Sequence, residues 1–387
     1  MLSVLRHNVV DLPTNLSLNY FWCGGFMISS FLALQLISGV VLSLLYVADS
    51  EMSFGCVLDF TNESLFVWLV RYLHVWGVTF IFVLFFVHMG RALYYSSYSK
   101  VAVWNVGFVL YLLMMIEAFL GYILPWHQMS YWAATVLTSI LNSIPIVGSS
   151  LYTFIVGGFG VTNATLVRVF SAHVCLAFVI VGFSVIHLFY LHKGGSNNPL
   201  FISGGYSDVV LFHSFFTNKD GLSMFLLCSA PSLYSSGVLL GLLVLLSGLM
   251  WVCPDMVLDV ESYLQADPLV TPVSIKPEWY FLAFYAMLRS IESKVGGLVL
   301  VLVFLFILWL PSFNGSCCYF LGRQYVFWGL SAMFSLLSYL GACHPEDPYI
   351  LVSKLCGLLI VVFLFLFKGL WVVPHSYGVP SGGCRAR

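Results

Sequence analysis

The chain has 387 residues, 60% of them apolar and only 8% charged, against about a quarter charged in an ordinary water-soluble domain. So few charges cannot coat a soluble surface, and a net charge of −1 without any basic cluster leaves no footprint for nucleic acid. A soluble enzyme and a DNA-binding module are excluded; recurrent apolar runs and 17% aromatic residues mark an all-α, multi-span membrane protein.

In chain order, Met1 to Asp11 is a short mixed segment before Pro13 that lacks the basic start and cleavage site of a signal peptide, and is expected to be a retained interfacial helix. Apolar runs then predict eight transmembrane helices at roughly 20–47, 66–95, 102–124, 165–191, 222–252, 281–310, 324–342 and 350–371. The expected organisation is an N-terminal four-helix bundle, 1–218, followed by a C-terminal four-span part, 219–387. Even parity places both termini on one side. That side carries Arg6, Arg91, Lys100, Lys193, Lys219, Arg323, Lys368, Arg385 and Arg387 against three aspartates, whereas the other carries twelve acids and six bases. The asymmetry puts both termini inside. Two outer connections, 125–164 and 253–280, are too long for simple loops and rich in aromatic residues, so they are expected to be packed lids over an outer-face site. The ten cysteines form no CxxC or CxxCH and are expected to be small buried hydrophobes.

The chemistry lies in four histidines. His74 and His88 are fourteen residues apart in the second span, and His173 and His187 are fourteen apart in the fourth. Fourteen residues is close to four helical turns, so each pair shares a face and is about 21 Å apart along the axis. Both spans run from outside to inside. His74 therefore falls level with His173 near the outer surface, and His88 with His187 near the inner one. Two planar cofactors can each be clamped between imidazoles. The same interval separates Gly25 from Gly39 in the first span and Gly107 from Gly121 in the third, leaving backbone without side chains where a porphyrin would lie. Arg71 and Arg91, each three residues from a histidine, sit at the membrane edges where propionates need counter-charges. Ionisable groups in a membrane are costly and usually functional.

With these residues in view, the chain resembles the mitochondrial cytochrome b family, the membrane core of ubiquinol:cytochrome c oxidoreductase (respiratory complex III). The resemblance is carried over nearly the full length by the Arg71-to-Arg91 helix, Gly121-Tyr122-Ile123-Leu124-Pro125-Trp126, the segment His187 to Pro199 ending in Gly-Ser-Asn-Asn-Pro, and Pro277-Glu278-Trp279-Tyr280. The chloroplast plastoquinol counterpart is split after its fourth span and has one more residue in its second histidine interval, so the respiratory type fits better. The resemblance implies two non-covalent b-type haems, the outer held by His74 and His173 and the inner by His88 and His187. It also implies ubiquinol oxidation at the outer face, ubiquinone reduction at the inner face and coupled proton translocation. Implied partners are an iron–sulfur subunit, a cytochrome c1-type subunit and a second copy of the complex, in the mitochondrial inner membrane with the termini on the matrix side.

By the same resemblance the outer quinol site comprises Tyr122, Ala133, Glu278 and Tyr285, and the inner quinone site His192, Ser29 and Asp220, with Asn197 near the inner propionate. On physical grounds Glu278, beside Pro277 in an apolar setting, has a raised pKa and can accept a quinol proton, or else caps the sixth span. His192 and Asp220 flank the inner interface and can deliver protons to a quinone, or else face solvent. Three residues depart from the family pattern: His127 and Ala133 replace glycines on the outer lid, and Glu117 is a carboxylate inside the third span, one turn from Gly121. Two rival functions remain. A flavin-linked transmembrane reductase would need a nucleotide-binding domain that the sequence lacks, and a proton transporter or channel would show no haem band.

Overall fold

The computed structural model describes residues 13–15, 17–199, 209–211, 234–310 and 320–369. The expected N-terminal interfacial helix and Asp220 lie outside these residues. Among them are helices α1 Gly24–Ser43, α2 Ser53–Glu63, α3 Leu65–Tyr94, α4 Val101–Ile123, α5 Gln128–Asn142, α6 Gly148–Val156, α7 Asn163–Gly194, α8 Tyr234–Val252, α9 Leu282–Arg289, α10 Lys294–Trp309, α11 Leu321–Ala342 and α12 Tyr349–Gly369. A small antiparallel ribbon joins β1 Pro13–Asn15 to β2 Val209–Leu211.

Six of these helices are long and apolar enough to cross a membrane: α1 with its preceding turn, α3, α4, α7, α11 and α12. Helix α8 is apolar over its Gly241–Val252 part, and α10 is a shorter apolar helix. The all-α expectation therefore holds, with one correction. The sixth span, expected as a single helix over 281–310, is broken into α9 and α10. Ser293 caps α10 by accepting from the Gly296 amide. At the end of α9, Arg289 donates to the carbonyls of Leu340 and Cys343, tying the break to the end of α11. The cysteines need a second correction. Of the six described, only Cys356 is buried and Cys175 is exposed, because the outside of a membrane bundle is itself apolar and does not force a thiol inward.

Within the bundle α1 packs on α3 and α4 on α7, while α9, α11 and α12 pack together. One apolar cluster runs from Phe31, Trp76 and Tyr111 to Phe284, Leu337 and Phe367. The outer connections fold as packed structure, as expected. Helices α5 and α6 bury Trp126, Tyr131, Val156 and Leu166 in a cluster of their own. The two lids are bridged: the Gln128 amide donates to the Leu264 carbonyl at 2.8 Å and the Ala266 amide to the Trp126 carbonyl at 3.1 Å. The Gln128 side chain adds bonds to the Val270 carbonyl and the Asp267 amide. Further along, the second lid is pinned to α3. Trp76 Nε1 donates to the Pro254 carbonyl at 2.9 Å, Tyr72 donates to Asp255, Trp279 Nε1 donates to Thr79 Oγ1 at 3.3 Å, and the Tyr280 ring stacks on Phe82 at 3.9 Å.

Close approach of α9 and α11 depends on Gly341, where a methyl group would lie 2.1 Å from the Leu282 carbonyl oxygen. Gly341→Ala is therefore expected to cost about 1–3 kcal/mol, the usual penalty for overpacking, and to lower the thermal midpoint of the extracted protein. Gly182→Ala, which meets open space inside α7, should not lower that midpoint.

Candidate functional site

The structure brings the outer two histidines together. Near the outer surface the His74 and His173 rings face each other, with centroids 6.4 Å apart. A metal–imidazole bond is about 2 Å long, so two imidazoles sharing one ion between their Nε2 atoms have centroids about 6 Å apart. The observed separation fits that requirement.

Glycine explains how the rings reach these positions. A Cβ on Gly39 would lie 3.1 Å from His74 Cε1, on Gly121 2.8 Å from His173 Cε1, and on Gly107 2.9 Å from His187 Cε1. The inner end of α1 differs slightly. Gly25 is in ordinary contact range of His88 at 3.7 Å, while the adjacent Gly24, which the equal intervals did not single out, is nearer at 3.1 Å. Each missing side chain lets an imidazole reach the backbone one helical turn before the glycine. His173 Nδ1 lies 3.1 Å from the carbonyl of Glu117, four residues before Gly121. In the same relation His74 faces the Gln35 backbone, and His187 is turned toward that of Val103 without completing a hydrogen bond. A helical carbonyl keeps a second lone pair after its own helix bond is made, and that lone pair is what the rings approach.

The outer tautomers follow. Ser38 Oγ donates to the Leu34 and Gln35 carbonyls at 2.7 and 3.1 Å, so at 2.9 Å from His74 Nδ1 it accepts that ring's proton. His173 Nδ1 donates toward Glu117. Both Nε2 lone pairs are thus left for a metal, the usual arrangement of a ligating histidine. Ser38 carries no sequence signal beyond its place beside Gly39. At the inner level, Arg91 Nη2 lies 3.4 Å from His88 Nδ1, its guanidinium covers the Trp22 ring, and its Nε is buried without a partner. An unpaired buried guanidinium nitrogen suits an anionic group such as a propionate.

The outer pair lines a cavity of about 250 Å³ that surrounds it, from Ile81 and Ile180 on one side to Arg71, Tyr122, His127 and Glu278 on the other. Arg71 Nη1 donates to Thr61 Oγ1 at 3.0 Å. The Glu278 side chain makes no capping bond to the turn it precedes, which removes the cap as its role. Burial first, and then the Asp259 carboxylate, raise its pKa to about 7. His127 sits at the start of α5, where Nδ1 accepts from the Ser130 amide at 3.0 Å and the ring lies edge-on to Tyr122 at 5.3 Å. Burial, with Arg71 beside it, lowers its pKa to about 3 and keeps it neutral.

Other expected site residues are less closely grouped. Tyr285 and Ala133 are not among the cavity's lining: Tyr285 donates to the Ile275 carbonyl at 3.1 Å under the Arg289 guanidinium, and Ala133 is buried in α5. Toward the inner face Ser29 donates back to the Gly25 carbonyl, His192 is half-buried in the last turn of α7, and the Asn197 carbonyl accepts from Trp22 Nε1 at 2.7 Å.

The fold and site together define a class: a membrane-spanning helical bundle holding paired imidazoles at two depths, with a carboxyl-bearing cavity at the outer one. Residues 9–195 match the family model described as Cytochrome b/b6/petB, and residues 265–362 match Cytochrome b(C-terminal)/b6/petD. The chain is 38% identical over 381 residues to the cytochrome b of Brachionus plicatilis, spanning 97% of this chain and 96% of the relative. A chain of a solved hyperthermophilic respiratory complex III superposes with a TM-score of 0.85 at 28% identity, covering 95% of each. The chain belongs to the cytochrome b family. A haem is what that family holds, and the free Nε2 atoms, the glycine-lined approaches and the orphaned Arg91 nitrogen fit it.

Because burial dominates the Glu278 shift, a protonated carboxyl band in infrared titration is expected to disappear with a midpoint near pH 7. Asp259→Asn, which removes the second cause, should move that midpoint down, and an unmoved midpoint would assign the whole shift to burial.

Proposed function

We propose that the chain is the electron-transfer core of a respiratory complex III, in which ubiquinol is oxidised at the outer face and ubiquinone reduced at the inner face. The observation that carries this reading is the pairing of His74 with His173 at 6.4 Å in the lining of a cavity that Glu278 also lines. His74 and His173 ligate an outer haem, and His88 and His187 an inner one. Gly25, Gly39, Gly107 and Gly121 keep side chains away from the rings, and Arg71, Arg91 and Asn197 meet the propionates. When bound, the haems supply one-electron redox chemistry at two depths of the membrane.

The remaining work belongs to the side chains. At the outer face Glu278 accepts a quinol proton and releases it toward water beside Tyr122, with Ala133 and Tyr285 behind the cavity's lining, while the bridged lids exclude solvent. At the inner face His192, Asp220 and Ser29 orient a quinone and deliver the protons its reduction consumes. Residues 1–218 carry the haem ligands, and 219–387 complete the outer site. The partners are an iron–sulfur subunit, a cytochrome c1-type subunit and a second copy of the complex, in the mitochondrial inner membrane with both termini toward the matrix.

A redox titration of the reduced-minus-oxidised spectrum is expected to resolve two b-type components, and His74→Ala should abolish one. A single component in the unmodified protein would refute the two-haem assignment. Glu278→Gln should slow quinol oxidation by roughly tenfold or more, within the usual worth of a general base, with haem spectra intact. A base must be deprotonated to work, so with its pKa near 7 the rate should fall as pH drops below about 7. That limb should vanish in Glu278→Gln; an unchanged turnover and pH profile in the variant would argue against the role.

A further inference from the structure

Glu117 is a carboxylate within an apolar span, flanked by Met115, Ile116, Ala118 and Phe119. Such a group is costly in a membrane unless it meets a partner. Its partner is His173: Glu117 Oε1 lies 3.0 Å from His173 Nδ1, beside the Glu117 backbone carbonyl at 3.1 Å from the same nitrogen. Both side chains are largely enclosed, at 12% and 17% exposed, and Glu117 Oε2 is buried with no partner. One residue therefore presents two acceptors to a single imidazole N–H. The other ligands are served differently. His74 meets a neutral serine hydroxyl, His88 meets a guanidinium, and His187 Nδ1 has no hydrogen-bond partner.

We infer that Glu117 is a positioning residue for the outer haem ligand His173, holding the ring by its Nδ1–H and strengthening its donation so that the outer haem's reduction potential is lowered. This rests on the two-haem reading given above. A carboxylate accepting from the distal N–H fixes the ring's tautomer and orientation and makes the ligand more basic. A more basic ligand, with negative charge beside it, favours ferric over ferrous iron, and such hydrogen bonding is one of the protein's main controls on haem potential. At the inner level, among the described residues, Arg91 Nη2 lies 3.4 Å from His88 Nδ1 and no carboxyl oxygen meets either ligand, so the two levels differ in what faces the Nδ1 atoms of their ligands.

The test is a potentiometric titration of the haem bands, with electron paramagnetic resonance of the ferric state, on the assembled complex carrying Glu117→Gln or Glu117→Asp. Glu117→Gln keeps an acceptor of similar size and removes the charge. It should raise the potential of one component by an amount equivalent to roughly tenfold in the reduction equilibrium, about 59 mV for a one-electron couple, with a change in that component's g-values and none in the other's. Glu117→Asp, with its charge retained but drawn back, should fall between. Two components with unchanged potentials and g-values in both variants would overturn the inference while leaving the two-haem reading intact. Fewer than two components in the unmodified protein would overturn that reading and this inference with it. If neither variant assembles, hyperfine spectroscopy of the exchangeable imidazole protons in the unmodified protein decides. A distinct coupling at one haem is expected, and equivalent couplings at both would overturn the inference.

Discussion

The structure depends on one constraint: an imidazole placed in a membrane needs a partner for its Nδ1–H and room for its ring, and at the outer pair the opposing helix supplies both at once. Where Gly39, Gly107 and Gly121 leave out a side chain, the ring approaches the helix closely enough for a Cβ to be excluded, and at Gly121 the carbonyl one turn earlier accepts from the ring. Burying an unpaired polar group in hydrocarbon costs several kcal/mol by typical estimates. The pairing of α1 with α3 and of α4 with α7 is therefore fixed in register as well as in position, because sliding either pair by one residue would set a side chain against a ring.

That register places the outer imidazole pair beneath the lids, and the lids are held by two different sets of bonds. Backbone pairing between Trp126–Gln128 and Leu264–Ala266 joins the lids to each other. Indole and phenol hydrogen bonds from Trp76, Tyr72 and Trp279 secure the second lid to the same helix that carries His74. Glu278 is consequently positioned by α3 as much as by its own segment. Its lack of a capping bond leaves its carboxyl for the cavity, where burial makes the neutral form competitive near neutral pH. A lid with this much bonding to the bundle limits the access of water to the cavity beneath it.

The two ends of the bundle are chemically unequal although the histidine spacing is symmetric. Toward the outside a carboxylate, a serine hydroxyl and a neutral buried histidine surround the pair; toward the inside an arginine lies against one ligand and the other has no partner at Nδ1. Equal intervals along two helices thus set equal depths but not equal environments, and the environment is what tunes a redox centre.

The sequence by itself determined the membrane class, the placing of most spans, the two histidine depths and the glycines opposite them, because helical rise and periodicity convert an interval such as His74 to His88 directly into distance and facing. The packing of the outer segments was legible from their prolines and aromatic residues, and motif resemblance singled out Glu278 and His192 as candidates. Only the tertiary structure decided the rest. Arg289 ties the break at Ser290–Ser293 to the end of α11, Gly24 and not Gly25 lies nearest His88, and Ser38 and Glu117 meet the Nδ1 atoms of His74 and His173. Each of these depends on how one helix is rotated against another distant in sequence, and an amino-acid period specifies which residues share a face without specifying which partner that face will meet.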